Sequence, residues 1–593
     1  MTPVPDSLSW TAEGAPRSDR FDDVYFSVAD GLRESRAVFL AGCGLPEAWR
    51  GRPHFTVGEL GFGTGLNILA LLDAWRSTRL AGQRLSIFSV EAYPMTAADA
   101  ARALEAWPEV SDLAAQLLAQ WPRRAPGFHR LDFPDLGATV DLAIGEAAWA
   151  LDQWTGVADA WFLDGFSPAK NPQMWRDEVL EAVARRSAPG ARLGTFTVAG
   201  AVRRGLDAAG FEVAKAPGYG RKRERLEGRR KGAPADARIP PPRRVAVVGA
   251  GVAGASLARA IRALGVEVTW IDAQGPGAGA SGNPAALVSA ALDAGSGPRA
   301  RFYAQCLARA ADLYNPLGEA AAGRPGLLQL ERAPRDAARF DAVAASGVFD
   351  PIRLTRLDRD GASTRLGRPA AAGALWLQDG LTVQPRRVIE AWLGEGKRVT
   401  GAVARLERTC EGWRATGADG AVLAEADALC LAAGAGARAL WPTLPLQPVR
   451  GQASWAAGPA LDFAVAWGGY AAPMPDGVLF GATHDRDRAD AGVDPLDHLR
   501  NLKTLAEALP DLAAALDPAS LGGRASVRAA TPDRMPLAGS LGPEGLFVLA
   551  GLGSRGFVTA PLLAEHVAAL MTGAPSPLPA EARRLVDPGR FAA

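Results

Sequence analysis

The sequence predicts two consecutive α/β domains. Each is built on a doubly wound, mostly parallel sheet, and the second carries an interleaved β-rich part. Three observations predict this. Glycine-rich turns follow apolar strands at residues 61–65, 249–254 and 551–556, and each leads into a helical run. After each of the first two turns a second strand ends on an acid, Glu91 and Asp272. The length of 593 residues exceeds what one hydrophobic core organises. With 48% apolar and 22% charged residues the chain has the makeup of a folded protein, not a disordered one. The expected division is a first domain over 1–230, a basic and proline-rich linker over 231–242, and a second domain over 243–593.

In the first domain, HFTVGEL at 54–60 reads as a strand, and ELGFGTG at 59–65 follows E-x-G-x-G-x-G. A helix is expected over 67–75 and a second strand over 85–90, ending on Glu91. In a dinucleotide turn the acid comes about 20 residues after the glycines. Here an acid comes first. Glu59 suits a cationic amino group, Gly61, Gly63 and Gly65 free the backbone beside it, and Glu91 suits two ribose hydroxyls. A cationic amino acid joined to a nucleoside without phosphate is S-adenosylmethionine, so this pattern predicts a Rossmann-like class I methyltransferase domain. Strands at 140–144, 160–163 and 192–196 extend the sheet, whose ligands lie at the strands' carboxyl ends. Glu146 there suits the adenine. Asp164 ends the apolar WFLD, before a loop stiffened by Pro168 and Pro172. It is placed to orient or deprotonate an amine, with a strand-end cap as the other reading. The run GYGRKRERLEGRRK at 218–231 reads as a solvated linker or a phosphate-binding surface, and Pro240–Pro242 break structure after it.

The second domain opens on VAVVGAGVAG at 245–254. Gly249 makes the tight turn, Gly251 lets a pyrophosphate reach the backbone, and Gly254 lets helix and strand pack closely. Asp272 then accepts from a ribose, which favours FAD or NAD over NADP. Ser281, Gly282 and Asn283 lie in a small-residue stretch suited to close backbone approach by a flavin ring. A strand at 427–431 runs into Gly434, and one at 546–550 into Gly553 and Gly556 before a helix at 559–571. Glycine turns near 250, 434 and 553 suit one large, tightly held cofactor, FAD, and no second complete fingerprint for NAD(P)H is present. Helices are expected at 301–313 and 384–393, paired strands at 403–408 and 421–425, and β structure at 448–455, 470–473, 478–483 and 524–530.

A net charge of +1 rules out a chain-wide nucleic-acid signature and leaves only local patches. Cys43, Cys306, Cys410 and Cys430 form no C-x-x-C pair, so neither a metal site nor a disulfide framework is expected. Free thiols in a reducing cytoplasm are the simpler expectation. The start, MTPVPDSLSW, lacks the pattern of a signal peptide, and no uncharged apolar stretch is long enough to span a membrane. A monomer is expected.

VGAGVAG at 248–254, the run from Arg528 through Thr531-Pro-Asp533 to Pro536, and GLGSRG at 551–556 resemble the D-amino-acid oxidase group of FAD-dependent amine oxidoreductases. Other matching motifs are ELGFGTGLN at 59–67, WFLDGFSPAKNPQMW at 161–175, YGRKRE at 219–224, ASGN at 280–283 and PVRGQ at 448–452. In that order, the chain resembles the family of bifunctional enzymes of tRNA 5-methylaminomethyl-2-thiouridine biosynthesis. The resemblance implies a two-step reaction at a tRNA wobble uridine: FAD-dependent removal of a carboxymethyl group from a secondary amine, then methylation of the exposed primary amine. It implies that Glu59, Gly61, Gly63, Gly65 and Glu91 bind S-adenosylmethionine and that Asp164 meets the target amine. It further implies that Gly249, Gly251, Gly254, Asp272, Ser281, Gly434, Ser554 and Arg555 bind FAD. Arg528 or Arg450 would pair as a fork with the substrate carboxylate. Contact with tRNA would fall to few phosphates, at 221–231, Arg203–Arg204 and Arg185–Arg186. The alternative is an FAD amino-acid oxidase fused to a small-molecule N-methyltransferase.

Overall fold

The computed structural model describes residues 7–26, 31–220, 223–232, 241–459 and 461–591. The chain divides into two compact units, Met1–Pro240 with Gly573–Ala580, and Pro241–Thr572 with Glu581–Ala593.

The first unit is organised on β1 (His54–Leu60), α1 (Leu66–Thr78), β2 (Arg84–Glu91), β3 (Gly127–Phe133), β4 (Ala138–Ile144), β5 (Ala158–Leu163), β6 (Ser187–Thr195), β7 (Phe211–Pro217) and β8 (Glu224–Arg230). The sheet runs β7–β8–β6–β5–β1–β2–β4–β3. Strands β1, β2, β4, β5 and β6 are parallel, because helices cross over between them. Both faces are therefore covered by apolar clusters, which is why β5 reads AWFL without alternation. The winding reverses between β1 and β5, which opens a crevice at their carboxyl ends.

Two elements differ from expectation. Strand β3 pairs antiparallel with β4 at the sheet's end. The basic run at 218–231, read as a solvated linker or a phosphate-binding surface, is in part strand β8, inserted between β7 and β6 and antiparallel to both. Leu226 and Gly228 point inward while the charges alternate outward, a period-two pattern hidden by the density of arginines. Arg221, Lys222 and residues 233–240 of the expected basic run and linker lie outside the described residues.

The second unit holds β9 (Arg244–Val248), α2 (Val252–Ala263), β10 (Glu267–Asp272), β11 (Lys397–Thr400), β12 (Ala428–Leu431), β13 (Leu537–Ser540), β14 (Leu546–Ala550) and α3 (Gly556–Thr572). Its cofactor sheet runs β11–β10–β9–β12–β14–β13, with only β13 antiparallel. The β-rich part is a nine-stranded sheet among the described residues, with its longest ladder between Gln447–Ala457 and Gly522–Ala530. The strands expected to pair at 403–408 and 421–425 do not touch. Gly412–Thr416 lies between Arg405–Thr409 and Val422–Ala426, because the chain turns back sharply at 410–411.

Candidate active sites

In the first unit the ends of β1, β2 and β5 meet at a cavity of about 1260 Å3. Gly61, Gly63, Glu91, Glu146 and Asp164 all line it. Gly61 and Gly63 have φ of +88° and +53°, where a side chain is strained. The Gly63 N–H donates to Glu91 Oε2 (3.0 Å) and the Tyr93 N–H to Oε1 (2.9 Å). These two bonds fix the Glu91 carboxylate at the cavity wall, at the end of β2. Glu146 Oε1 stands 3.5 Å from the Tyr93 hydroxyl. Asp164 is held by a buried chain: Ser35 Oγ donates to Asn67 Oδ1 (2.6 Å), and Asn67 Nδ2 donates to Asp164 Oδ2 (2.8 Å). The amide can satisfy both only in one orientation, so the carboxylate is positioned from behind. Asn67, two residues past the last glycine of ELGFGTGLN, is a functional residue that sequence reasoning missed.

Two residues depart from expectation. Glu59 is fully buried beneath the glycine loop and does not line the cavity. Ser89 Oγ donates to it. Burial pushes its pKa up to about 8, and the charges of Asp164 and Glu91 push the same way. Gly65 also lies off the cavity. It caps α1 at φ +80°, and a Cβ there would stand 2.7 Å from Leu117.

In the second unit a cavity of about 1060 Å3 opens at the carboxyl ends of β9, β10, β12 and β14. Gly249 (φ +111°) forms its floor, where a Cβ would lie 2.5 Å from the Ala432 carbonyl oxygen. A Cβ on Gly254 would lie 1.8 Å from the Gly249 carbonyl oxygen. Gly254 therefore packs α2 onto the turn and does not itself line the cavity. Gly251 does, and Ser281 Oγ stands 3.1 Å from where its Cβ would be. That hydroxyl accepts from the Val252 N–H (3.0 Å) at the start of α2. Asp272 accepts from the N–H groups of Ala250, Gln274 and Gly275 at 2.8–2.9 Å. Gly434 and Gly553, at φ +55° and +56°, line the opposite wall. A Cβ at either would meet no atom within 4 Å, so backbone conformation and not crowding calls for glycine there. Ser554, Arg555, Gly556 and Asn283 also line it. Arg555 donates to the Ser289 and Ala290 carbonyls, both at 3.2 Å. A glycine floor, an acid at the second strand's end and the N-termini of α2 and α3 fit a dinucleotide's pyrophosphate and ribose. Gly282 departs from expectation. It turns away from the cavity against the Gly277 carbonyl and Arg524.

The antiparallel register separates the two candidate arginines. Arg528 pairs with Val449 and Arg450 with Val527, so the two side chains leave opposite faces of the ladder. Arg528 lines the cavity, together with Gln329, Tyr470 and His484, which sequence reasoning missed. A Cβ on Gly451 would lie 2.3 Å from Arg528 Nη1, so that glycine clears its guanidinium. No carboxylate pairs with Arg528 among the described residues. Burial, followed by Arg528 and Arg486, lowers the pKa of His484. Arg450 corrects the other expectation. It is fully buried, 2.5 Å from Asp497 and 3.0 Å from Asp490, and it donates to the Gly492 carbonyl (2.7 Å). Its Nη1 and Nη2 are already engaged by Asp497, Gln452 and the Gly492 carbonyl.

The expected phosphate patches are partly neutralised. Arg225 pairs with Glu227, Lys215 with Glu224 and Lys231 with Asp207. Arg186 donates to the Leu151 and Asp152 carbonyls, and Arg185 stands 4.0 Å from Glu181. Arg203 and Arg204 are exposed on the helix Gly200–Ala208. Among the described residues no helix is long and apolar enough to cross a membrane, and no cluster of three metal-binding side chains occurs.

Residues 244–570 match the model of FAD dependent oxidoreductases, and residues 108–231 that of S-adenosyl-L-methionine-dependent methyltransferases. A protein of Caulobacter sp. (strain K31) is 56% identical over 99% of this chain and 98% of its own length. One of Caulobacter vibrioides is 54% identical over 100% of this chain and 98% of its own. Both are named tRNA 5-methylaminomethyl-2-thiouridine biosynthesis bifunctional protein MnmC. The chain belongs to the MnmC family. It thus joins a methyltransferase that uses S-adenosylmethionine to an oxidoreductase that uses FAD. A Maricaulis maris member of the MnmC family is 44% identical over 99% of the chain. Among solved structures, L-proline dehydrogenase from P. horikoshii aligns with 60% of this chain and 99% of its own (TM-score 0.51, 17% identity). Iminodiacetate oxidase from Chelativorans sp. BNC1 aligns with 58% and 98% (TM-score 0.50, 23% identity). These two likenesses concern the fold alone.

Proposed function

We propose that this chain carries out two consecutive reactions on the wobble uridine of tRNA. The starting group is 5-carboxymethylaminomethyl-uridine, with or without the 2-thio group. In the second unit the methylene between the amine and the carboxylate loses two electrons and a proton, the N–H loses its proton, and an imine forms. Water adds across it, the C–N bond breaks, and glyoxylate leaves behind a primary 5-aminomethyl group. In the first unit that amine gives up a proton and its lone pair takes a methyl group, giving 5-methylaminomethyl-uridine. Bound FAD supplies the two-electron acceptor, and bound S-adenosylmethionine supplies the electrophilic methyl.

Arg528 grips the substrate carboxylate as a bidentate fork and so orients the methylene. Gly249, Gly251, Ser281, Asp272, Gly434, Gly553, Ser554, Arg555 and Gly556 hold FAD, and Gly61, Gly63, Glu91 and Glu146 hold S-adenosylmethionine. Asp164, fixed by Asn67, accepts a proton or hydrogen bond from the amine. The observation that carries the reading is one chain with both cavities, one lined by an unpaired arginine and the other by a positioned carboxylate, in an MnmC-family sequence.

The test is to incubate the purified full chain with carboxymethylaminomethyl-tRNA and analyse the nucleosides. Aminomethyl-uridine is expected without S-adenosylmethionine and methylaminomethyl-uridine with it. An unchanged nucleoside in both arms sinks the reading. Turnover of free amino acids in place of tRNA supports the small-molecule alternative.

A further inference from the structure

The cavity of the first unit is larger than one ligand needs. At about 1260 Å3 it exceeds the roughly 300–1,000 Å3 of ordinary small-molecule sites. Part of its wall is aromatic, and the rings come from two distant stretches. Phe21 and Tyr25 belong to an N-terminal ribbon, a three-stranded sheet of Leu8–Trp10, Pro16–Ser18 and Asp23–Val24 with its turns, and Phe166 to the loop that carries Asp164. Phe21 stacks on Phe166, with centroids 4.8 Å apart and planes at 28°. Tyr25 meets Phe166 edge-on at 5.0 Å, and Tyr93 lies 5.8 Å from Phe21. All four rings line the cavity and are half-buried, so ring surface stays open to a ligand.

The ribbon is fastened to this loop. The Ser167 N–H donates to Asp23 Oδ2 (3.2 Å), and Lys170 reaches the Asp22 carbonyl. Asp164 and Phe166 are separated only by Gly165, at φ +119°, which lets carboxylate and ring both face inward. Arg20 stacks over Tyr93 (4.2 Å) at the same wall, and no carboxylate pairs with it among the described residues. Aromatic platforms flanked by cations are how proteins hold unstacked bases of single-stranded RNA.

Resting on the proposed function, we infer that Phe21 and Phe166 form the stacking platform for the uracil ring of the nucleotide being methylated, with Arg20 serving its phosphate. A base stacked there brings its 5-substituent toward Asp164, two residues from Phe166. Glu91 and the glycine loop are left to the methyl donor.

The experiment uses the full chain as Phe21→Ala, Phe21→Trp and Arg20→Ala, with aminomethyl-tRNA as substrate. Phe21→Ala should raise the KM of methyl transfer roughly 5- to 150-fold, the range for loss of one base-stacking contact. Phe21→Trp should restore it. The affinity for S-adenosylmethionine by calorimetry, and the FAD-dependent step on carboxymethylaminomethyl-tRNA, should not change. Arg20→Ala should flatten the dependence of log KM on log salt by about one phosphate. A Phe21→Ala enzyme with unchanged KM overturns the inference while the proposed function stands. A fall in S-adenosylmethionine affinity with unchanged tRNA KM also overturns it, by making the ring part of the donor site. Absence of methyl transfer by the wild type would instead defeat the underlying reading.

Discussion

Arg450 and Arg528 lie next to one another on one antiparallel ladder, and its parity sends one into a buried acidic nest and the other into the cofactor cavity. Their substitutions should therefore separate. Arg528→Gln should raise the KM of the oxidative step on the order of 10- to 100-fold, as expected when a charged hydrogen bond worth about 2 kcal/mol is lost, with thermal stability little changed. Arg450→Leu leaves the buried Asp497 to Arg500 alone and frees the Gly492 carbonyl, and should cost about 1–3 kcal/mol, read as a fall in the denaturation midpoint. Asp164→Asn should cut methyl transfer by about 10²–10⁴-fold while FAD absorbance and glyoxylate release persist. Glu59 makes a pH prediction. Its carboxyl keeps its proton in the folded chain up to about pH 8, whereas unfolded glutamate ionises near 4.5. The unfolded state thus binds fewer protons across that window, so stability falls as pH rises from about 4.5 to about 8 and then levels. Glu59→Gln should remove this slope in urea midpoints measured at pH 5.5 and 8; an identical slope in both proteins would count against a protonated Glu59.

At the scale of elements, the glycine turns were readable because their demands are local. Gly249 needs a positive φ, and Gly254 meets a carbonyl only five residues back in the chain. Gly254→Ala should push α2 away from the turn. The expected product is a chain that purifies with less flavin, measured by its absorbance, yet still methylates aminomethyl-tRNA. Full flavin content would show that the helix can shift to accept a methyl group. Strand β8 was not readable. ERLEGRR has the composition of a solvated run, and only its place between β7 and β6 shows that Leu226 and Gly228 are its inward face. The pairing of Arg405–Thr409 was mistaken for a similar reason, since the intervening Gly412–Thr416 carries little strand signal of its own.

At the scale of the whole molecule, one chain carries two sheets of the same general kind with different acids at their turns. An additional acid told the ligands apart: both units end the following strand on one, Glu91 and Asp272, but only ELGFGTG has an acid before its glycines. That order of local signals, with three glycine turns on the second sheet, determined the fold class, the two cofactors and the family. Such features depend on contacts within about thirty residues, and sequence spacing records them. The tertiary structure alone decided which arginine faces the cavity and that Glu59 lies beneath its loop. It also decided that Ser35 and Asn67 hold Asp164 and that an N-terminal ribbon brings Phe21 onto Phe166. Each of those depends on strand parity or on residues far apart in the chain, and a side chain's face, burial and partners are set only when the sheets close around it.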